Sequence, residues 1–302
     1  MIRAGNELLK IARKELKLSQ TDMGERLHMT QRTLSRIETG DRDLRVFEYF
    51  TLMGMIGRPT DDLSPLFLET KELRNYNAFL ELRGLLRDNM LSEVRQRLPE
   101  FEKILTSNQT FIRQFIIFTK IYIDGEMPHQ EAIDKLYETL EMSVINFDKN
   151  NISKYRFTYN EIYIVFAIAM RLEKLGDLDN AASLYKALIE SRGSAAATKE
   201  DMSALYPSIM FNLSNVLGKA KRYHEALEYC ESARRLCVEL KNSRLLPHIL
   251  YNTAWIQRLM GEEKRIYRTY YNRAYHVAYA MDNKEIVDII KKEAEEFGFS
   301  EF

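Results

Sequence analysis

Two apolar rhythms divide the chain. Up to about residue 67, apolar positions come in short bursts that predict a cluster of short helices. From about residue 70 to 302 they recur at helical spacing over long windows, which predicts long amphipathic helices. Gly57-Arg58-Pro59-Thr60-Asp61-Asp62 interrupts the pattern between the two. Glycine and proline end a helix there, and Thr60 or Asp61 can cap the short helix predicted over 63–68. The expected division is therefore 1–67 and 68–302, all-α in both parts.

The longer part repeats. From Phe211 to Ala226 the pattern reads as a helix, a short break and a second helix that continues through Cys237. Small Ser214 and Ala226 sit where two helices must approach, and Tyr223 fills the space between them. Similar registers recur over 169–181 and 251–261, with weaker copies over 118–132 and 80–94. The equivalent positions are Val94, Ala132, Ala181, Ala226 and Ile266, spaced by 38, 49, 45 and 40 residues. This is tetratricopeptide chemistry with helices longer than the standard repeat of about 34 residues. A single helix pair cannot bury its apolar face, so the pairs stack. The expected architecture is a right-handed tetratricopeptide-like α-solenoid of about five helix pairs, closed by a charged terminal cap over Asn283 to Phe297.

The strongest local signal is LSQTDMGERLHMTQRTLSRIETG over 18–40. Ser19 with Asp22 three residues on is a capping-box pattern that starts a helix running to Leu27. His28-Met29 make a turn, Thr30 caps a second helix through Glu38, and Gly40 supplies the backbone freedom of a helix end. Leu34 and Ile37 face inward, while Gln31, Arg32, Ser35 and Arg36 share the outward face. Gln can bond adenine bidentately and Arg can bond guanine, so this face can read base edges. A helix carrying those groups, held by a short turn against another, is a helix-turn-helix.

Residues 4–56 resemble the five-helix domain of the lambda-repressor/Cro (XRE) class, through the Ser-Gln, Thr-Gln and Ser-Arg-Ile-Glu-x-Gly residues of that segment. The resemblance implies a phosphate contact from Gln20 and DNA contacts from Thr30, Gln31, Arg32, Ser35 and Arg36. It also implies a structural pair between Arg13 and Glu38. Met23-Gly24 departs from the usual Leu-Ala, and a helical glycine costs ~1 kcal/mol relative to alanine.

Charge supports this reading locally. In residues 1–36, Lys or Arg stand at 3, 10, 13, 14, 17, 26, 32 and 36 and Asp or Glu at 7, 15, 22 and 25, a net of +4 in a chain whose total is zero. That suffices for a few phosphate contacts but not for strong non-specific binding. Useful affinity then requires two copies, a homodimer on a pseudo-palindromic operator in double-stranded DNA.

Positions equivalent to first helices of the repeats define a candidate ligand groove: Arg83, Gln114, Tyr163, Ser208, Asn212, Asn215, His248, Asn252 and Trp255. Asn212 and Asn252 fall at the same repeat position. Each offers a donor pair and an acceptor, which can satisfy the backbone groups of an extended peptide whatever its sequence. The whole chain resembles, in architecture, the peptide-pheromone-responsive regulators of Gram-positive bacteria of the PlcR and Rgg kind. The likeness is closest from Leu175 to Lys291, where Asn212 falls at a position used for peptide binding in PlcR-like members. In the preceding repeat, Phe166, Ala167 and Met170 stand where another asparagine is usual, implying a more apolar peptide or a different ligand. The resemblance implies a cytoplasmic quorum-sensing transcription regulator whose repeats hold the dimer and, on binding a short signalling peptide, reposition the two recognition helices.

Composition narrows the alternatives. Apolar residues make up 45% and charged residues 29%, a globular balance that argues against disorder. The longest apolar run, Ile162 to Met170, is nine residues, whereas a membrane span needs about 20. Met1 to Lys10 has no apolar core of a secretory signal. Cys230 and Cys237, on one helix, stand roughly 10 Å apart and are expected as free thiols. Histidines 28, 129, 224, 248 and 276 are dispersed, and no phosphate loop, nucleophile elbow or dinucleotide fingerprint occurs. No enzyme activity, cofactor or metal is expected. The rival readings are an XRE-type repressor whose repeats bind a partner protein, as in an antitoxin or phage-type regulator, and a pure interaction scaffold.

Overall fold

The computed structural model is built from α-helices, and no strand occurs among the described residues, which are 2–42, 44–55, 70–105, 110–144, 146–149, 151–190 and 199–298. The expected short helix over 63–68 and the boundary at 67/68 lie outside them.

The N-terminal bundle comprises α1 (Ile2–Glu15), α2 (Gln20–Arg26), α3 (Gln31–Thr39) and α4 (Val46–Met55). Leu9, Ala12, Leu16, Met23, Leu27, Leu34, Ile37, Leu52 and Met55 form its core. The helices that follow pair as α5 (Thr70–Arg87) with α6 (Leu91–Ile104) and α7 (Thr110–Ile123) with α8 (His129–Glu141); α9 (Tyr159–Leu175) packs on α7 and α8. Then come α10 (Leu178–Glu190), the pair α11 (Lys199–Lys219) and α12 (Tyr223–Glu239), the pair α13 (Leu246–Leu259) and α14 (Lys264–Ala280), and the capping helix α15 (Lys284–Glu296). The chain forms two compact units, the first holding α1–α9 and the second α10–α15.

The repeat register is written in the turns. Asn89, Gly176, Lys221 and Gly261 all have left-handed φ, between 58° and 81°, and each stands five residues before one of the predicted equivalent positions Val94, Ala181, Ala226 and Ile266. Three of these turns close the first helix with the same reversed bond: Met90 N to Leu85 O at 2.9 Å, Arg222 N to Leu217 O at 2.8 Å and Glu262 N to Gln257 O at 3.1 Å. That bond satisfies carbonyls which the helix end would otherwise leave bare. Val94, Ala132, Ala181 and Ala226 are fully buried where the second helix begins, whereas Ile266 is only half-buried.

In the first unit polar braces hold the layers together. Arg95 donates to Ile123 O at 3.0 and 2.8 Å, tying α6 to the end of α7. Arg171 of α9 donates to Asp124 O at 2.9 Å. Rings run between the helices: Phe79 lies 5.0 Å from both Phe111 and Phe115, and Phe118 lies 6.2 Å from Tyr163. In the second unit Gly218 permits close approach of α11 and α13, because a Cβ there would stand 2.6 Å from Trp255 Cζ3. The cysteines are free and buried on α12, as their spacing requires.

Candidate nucleic-acid interface

The predicted caps form. Ser19 Oγ accepts from Asp22 N at 3.1 Å and Asp22 Oδ2 accepts from Ser19 N at 3.0 Å, a reciprocal capping box for α2. The Ser19 hydrogen bonds hold the Asp22 carboxyl below its ordinary range. Thr30 Oγ1 accepts from Thr33 N at 3.2 Å and so starts α3. Gly40 ends α3 with φ 83°, a conformation that costs other residues strain.

Between α2 and α3 the turn is tight enough to explain the departure at Gly24. Met29 N donates to Gly24 O at 2.8 Å, and a Cβ on residue 24 would stand 2.7 Å from Met29 O. The glycine expected to weaken the helix is therefore what lets the turn close. His28 occupies the turn at φ 54°.

With Leu34 and Ile37 fully buried in the bundle core, the opposite face of α3 is turned outward. Thr30, Gln31, Arg32 and Arg36 are exposed and Ser35 is half-exposed. No described residue pairs with Arg32 or Arg36, so their guanidinium donors are available. Gln20, expected to contact phosphate, is half-exposed, and one of its two Nε2 donors goes to Glu38 Oε2 at 3.0 Å. Glu38 also accepts both prongs of Arg13, at 2.6 and 2.9 Å, which makes Gln20 a third member of the Arg13–Glu38 pair.

The ten predicted ligand residues separate into braces and surface. Arg83 is buried, with its guanidinium 3.8 Å from the centre of the Tyr159 ring. Gln114, 1% exposed, donates to Thr139 O at 3.0 Å and to Ser143 Oγ at 2.7 Å, fastening α7 to α8. Asn252, 2% exposed, donates to Ser214 Oγ at 2.7 Å and to Cys230 Sγ at 3.5 Å. These three do not present the free groups expected of them, because each bridges neighbouring helices. Phe166 is buried in the first unit, where Tyr163 is half-buried. In the second unit Ser208, Asn212, Asn215, His248 and Trp255 are half-buried. His248 sets its ring edge-on to Phe211 at 6.2 Å and leaves Nδ1 buried without a partner; burial pushes its pKa below the ordinary 6.5, Arg244 adds to this and Glu285 opposes it.

One polar centre was not anticipated. Glu161 of α9 is 0% exposed and gathers Thr158 N at 2.6 Å, Ser143 Oγ at 2.6 Å and Arg26 Nη1 at 3.0 Å. Thr158-x-x-Glu161 is a capping-box pattern and was legible as such. Arg26 lies 135 residues away, and no local pattern announces it.

Among the described residues no group of three or more His, Cys, Asp or Glu is placed to hold a metal ion, and no helix is long and apolar enough to cross a membrane.

An α-helical DNA-reading motif joined to helical repeats defines a class of ligand-controlled regulators, and comparison with known proteins places the chain within it. Residues 9–63 match a helix-turn-helix family model, and residues 88–297 match the RNPP family C-terminal domain. The second match covers more than half of the chain, which therefore belongs to the RNPP family. Among solved structures, Bacillus thuringiensis PlcR in complex with the peptide PapR7 and DNA shares the fold at a TM-score of 0.62 and 16% identity, over 96% of this chain and 99% of that one. ComR from S. thermophilus in complex with DNA and its signalling peptide ComS matches at 0.54 and 14% identity, over 98% of this chain and 100% of that one. No curated protein sequence matches.

Proposed function

We propose that this chain is a cytoplasmic, sequence-specific DNA-binding transcription regulator that responds to a short signalling peptide. Residues 1–67 are the DNA-binding domain and 68–302 the repeat domain for peptide binding and dimerisation. The observation that carries the reading is the outward face of α3: Gln31, Arg32 and Arg36 exposed together on a helix whose other face is locked into a core, in a member of the RNPP family. Two such faces in a homodimer read the half-sites of a pseudo-palindrome in the major groove. Peptide, bound in the repeats, shifts the dimer between arrangements by its differential affinity for them. Proteins bound to peptide and DNA, PlcR and ComR, share the fold.

Half-exposed Tyr163 in the first unit, and Ser208, Asn212, Asn215, His248 and Trp255 in the second, are the proposed peptide-facing residues. Phe166 lends the first unit apolar lining. The test is selection of duplexes from a random pool by the full chain, followed by gel shift with and without synthetic peptides drawn from small secreted reading frames of the same genome. A selected palindrome whose retention changes with one peptide supports the reading. Failure to enrich any duplex would overturn it.

A further inference from the structure

The helix-turn-helix and the helices α7 and α9 belong to one compact unit, and specific groups join them. Arg26, in the last turn of α2, places Nη1 3.0 Å from Glu161 Oε1 and 3.3 Å from Oε2, with side-chain exposures of 9% and 0%. Two residues on, His28 accepts at Nε2 from the amide of Thr110, the first residue of α7, at 3.1 Å. One residue further along α7, Phe111 packs against the core of the N-terminal bundle. A charged pair, a polar cap and a ring thus hold one face of the DNA-reading domain. None of the three uses the outward face of α3.

Glu161 is unusually well held for an acceptor of a single arginine. Thr158 N and Ser143 Oγ fix both of its oxygens before Arg26 arrives. A buried carboxylate needs such donors, and a partner cation, to offset its desolvation. Two turns of one helix then matter together, because α9 carries Glu161 in its first turn and the proposed ligand residues Tyr163 and Phe166 immediately after. A pocket of about 130 Å³ lies against the pair, lined among others by Arg26, Thr110, Phe111, Gln114, Ser143 and Glu161, so the joint is not packed solid.

We infer that Glu161 is a positioning residue for DNA binding: through Arg26 it clamps the helix-turn-helix to α9 with the base-reading face left open, and it is the point at which a movement of α9 reaches that domain. The clamp stands on the geometry alone. Its use in signalling rests on the peptide-responsive reading above.

The test measures, in the full chain, the distance between spin labels carried by noncanonical residues at exposed positions 14 in α1 and 131 in α8. The native chain should give one narrow distribution. Arg26→Met and Glu161→Gln should each broaden it at least twofold, the double variant should broaden it no further, and Arg26→Lys, which keeps the charge, should restore it. Glu161→Gln retains an oxygen for Thr158 N, and circular dichroism identifies any variant that has simply unfolded. Unchanged distributions in folded Arg26→Met and Glu161→Gln would overturn the clamp. A second arm adds a pool of short synthetic apolar peptides. A shift in the native chain that is lost in Arg26→Met supports coupling through the pair, and a shift that survives overturns it. No shift in the native chain counts against peptide response itself, while the first arm still decides the clamp.

Discussion

Glu38, at the end of the recognition helix, accepts both guanidinium prongs of Arg13 from α1, at 2.6 and 2.9 Å, and is only 4% exposed. Burial alone would raise the Glu38 pKa, but the bonds from Arg13 and Gln20, with the charges of Arg13 and Lys10, outweigh it and leave the carboxyl below its ordinary 4.5. A carboxylate with a depressed folded pKa contributes stability that is complete above its unfolded pKa and is lost as the pH falls through the folded one. Glu38→Ala should therefore destabilise the N-terminal bundle by about 2–3 kcal/mol near neutral pH, since Arg13 keeps a largely buried charge without its partner. The difference between wild type and variant in urea denaturation should shrink below about pH 4. A constant difference down to pH 2 or so would show that the pair contributes by packing rather than by charge.

The same helix should tolerate changes on its other side. Arg32 is exposed, so Arg32→Ala should leave the melting temperature within a degree or two. DNA binding should weaken by roughly 1–3 kcal/mol, about 5- to 150-fold, with relaxed preference at one base position. A uniform loss across all duplexes, with a shallower salt dependence, would instead assign Arg32 to the phosphates.

Much of this was legible because the governing interactions are local. Ser19, Asp22, Thr30 and Gly40 act within four residues of themselves, so caps and helix bounds could be read directly. The repeats were legible because the pairs restate one register, which at four of the five equivalent positions, Val94, Ala181, Ala226 and Ile266, extends to a left-handed residue five positions earlier. What escaped depends on distant partners. Arg26 has no sequence mark that sets it apart from other surface arginines until Glu161 is folded against it. Gln114 and Asn252 sit at plausible groove positions, and only their neighbours Ser143 and Ser214 show that their donors are already spent.

Gly218 gives a stability test with its own optical reporter. A Cβ at this position would meet Trp255 Cζ3 at 2.6 Å, Cη2 at 3.2 Å and Ile256 Cγ1 at 3.3 Å. Overpacking costs typically about 1–3 kcal/mol, and the gain of ~1 kcal/mol in helix propensity offsets only part of it. Gly218→Ala should be net destabilising by about 1 kcal/mol. Because Trp255 is the sole tryptophan, its emission should shift as the ring is displaced. Stabilisation with unchanged emission would mean that α11 and α13 separate without strain.

His248 should make the second unit sensitive to mild acid. Burial disfavours its charged form, so the folded state takes up the proton at lower pH than the unfolded state does. Stability should be complete above 6.5, the ordinary value, and should fall as the pH drops below it. His248→Gln should flatten the dependence of the unfolding midpoint between about pH 7 and about pH 5.5. An equal slope in the variant would place the sensitivity on another histidine.

The two asparagines at one repeat position should separate stability from recognition. Asn252 is buried and donates to Ser214 Oγ, so Asn252→Ala strips a buried hydroxyl of its donor and should cost about 1–3 kcal/mol. Asn212, on α11, is half-buried, and Asn212→Ala should change stability by no more than about 0.5 kcal/mol. If Asn212 faces the peptide, its loss should weaken peptide response while leaving peptide-free DNA binding intact. Asn252→Ala should show the opposite pattern, a lower melting temperature with response preserved well below it. The sign of this contrast follows from burial: the donor of Asn252 meets Ser214 Oγ in the interior, whereas Asn212 stands partly in solvent. Thermal melts and gel shifts of the two variants side by side would decide it, and equal losses of stability would return both residues to a bracing role.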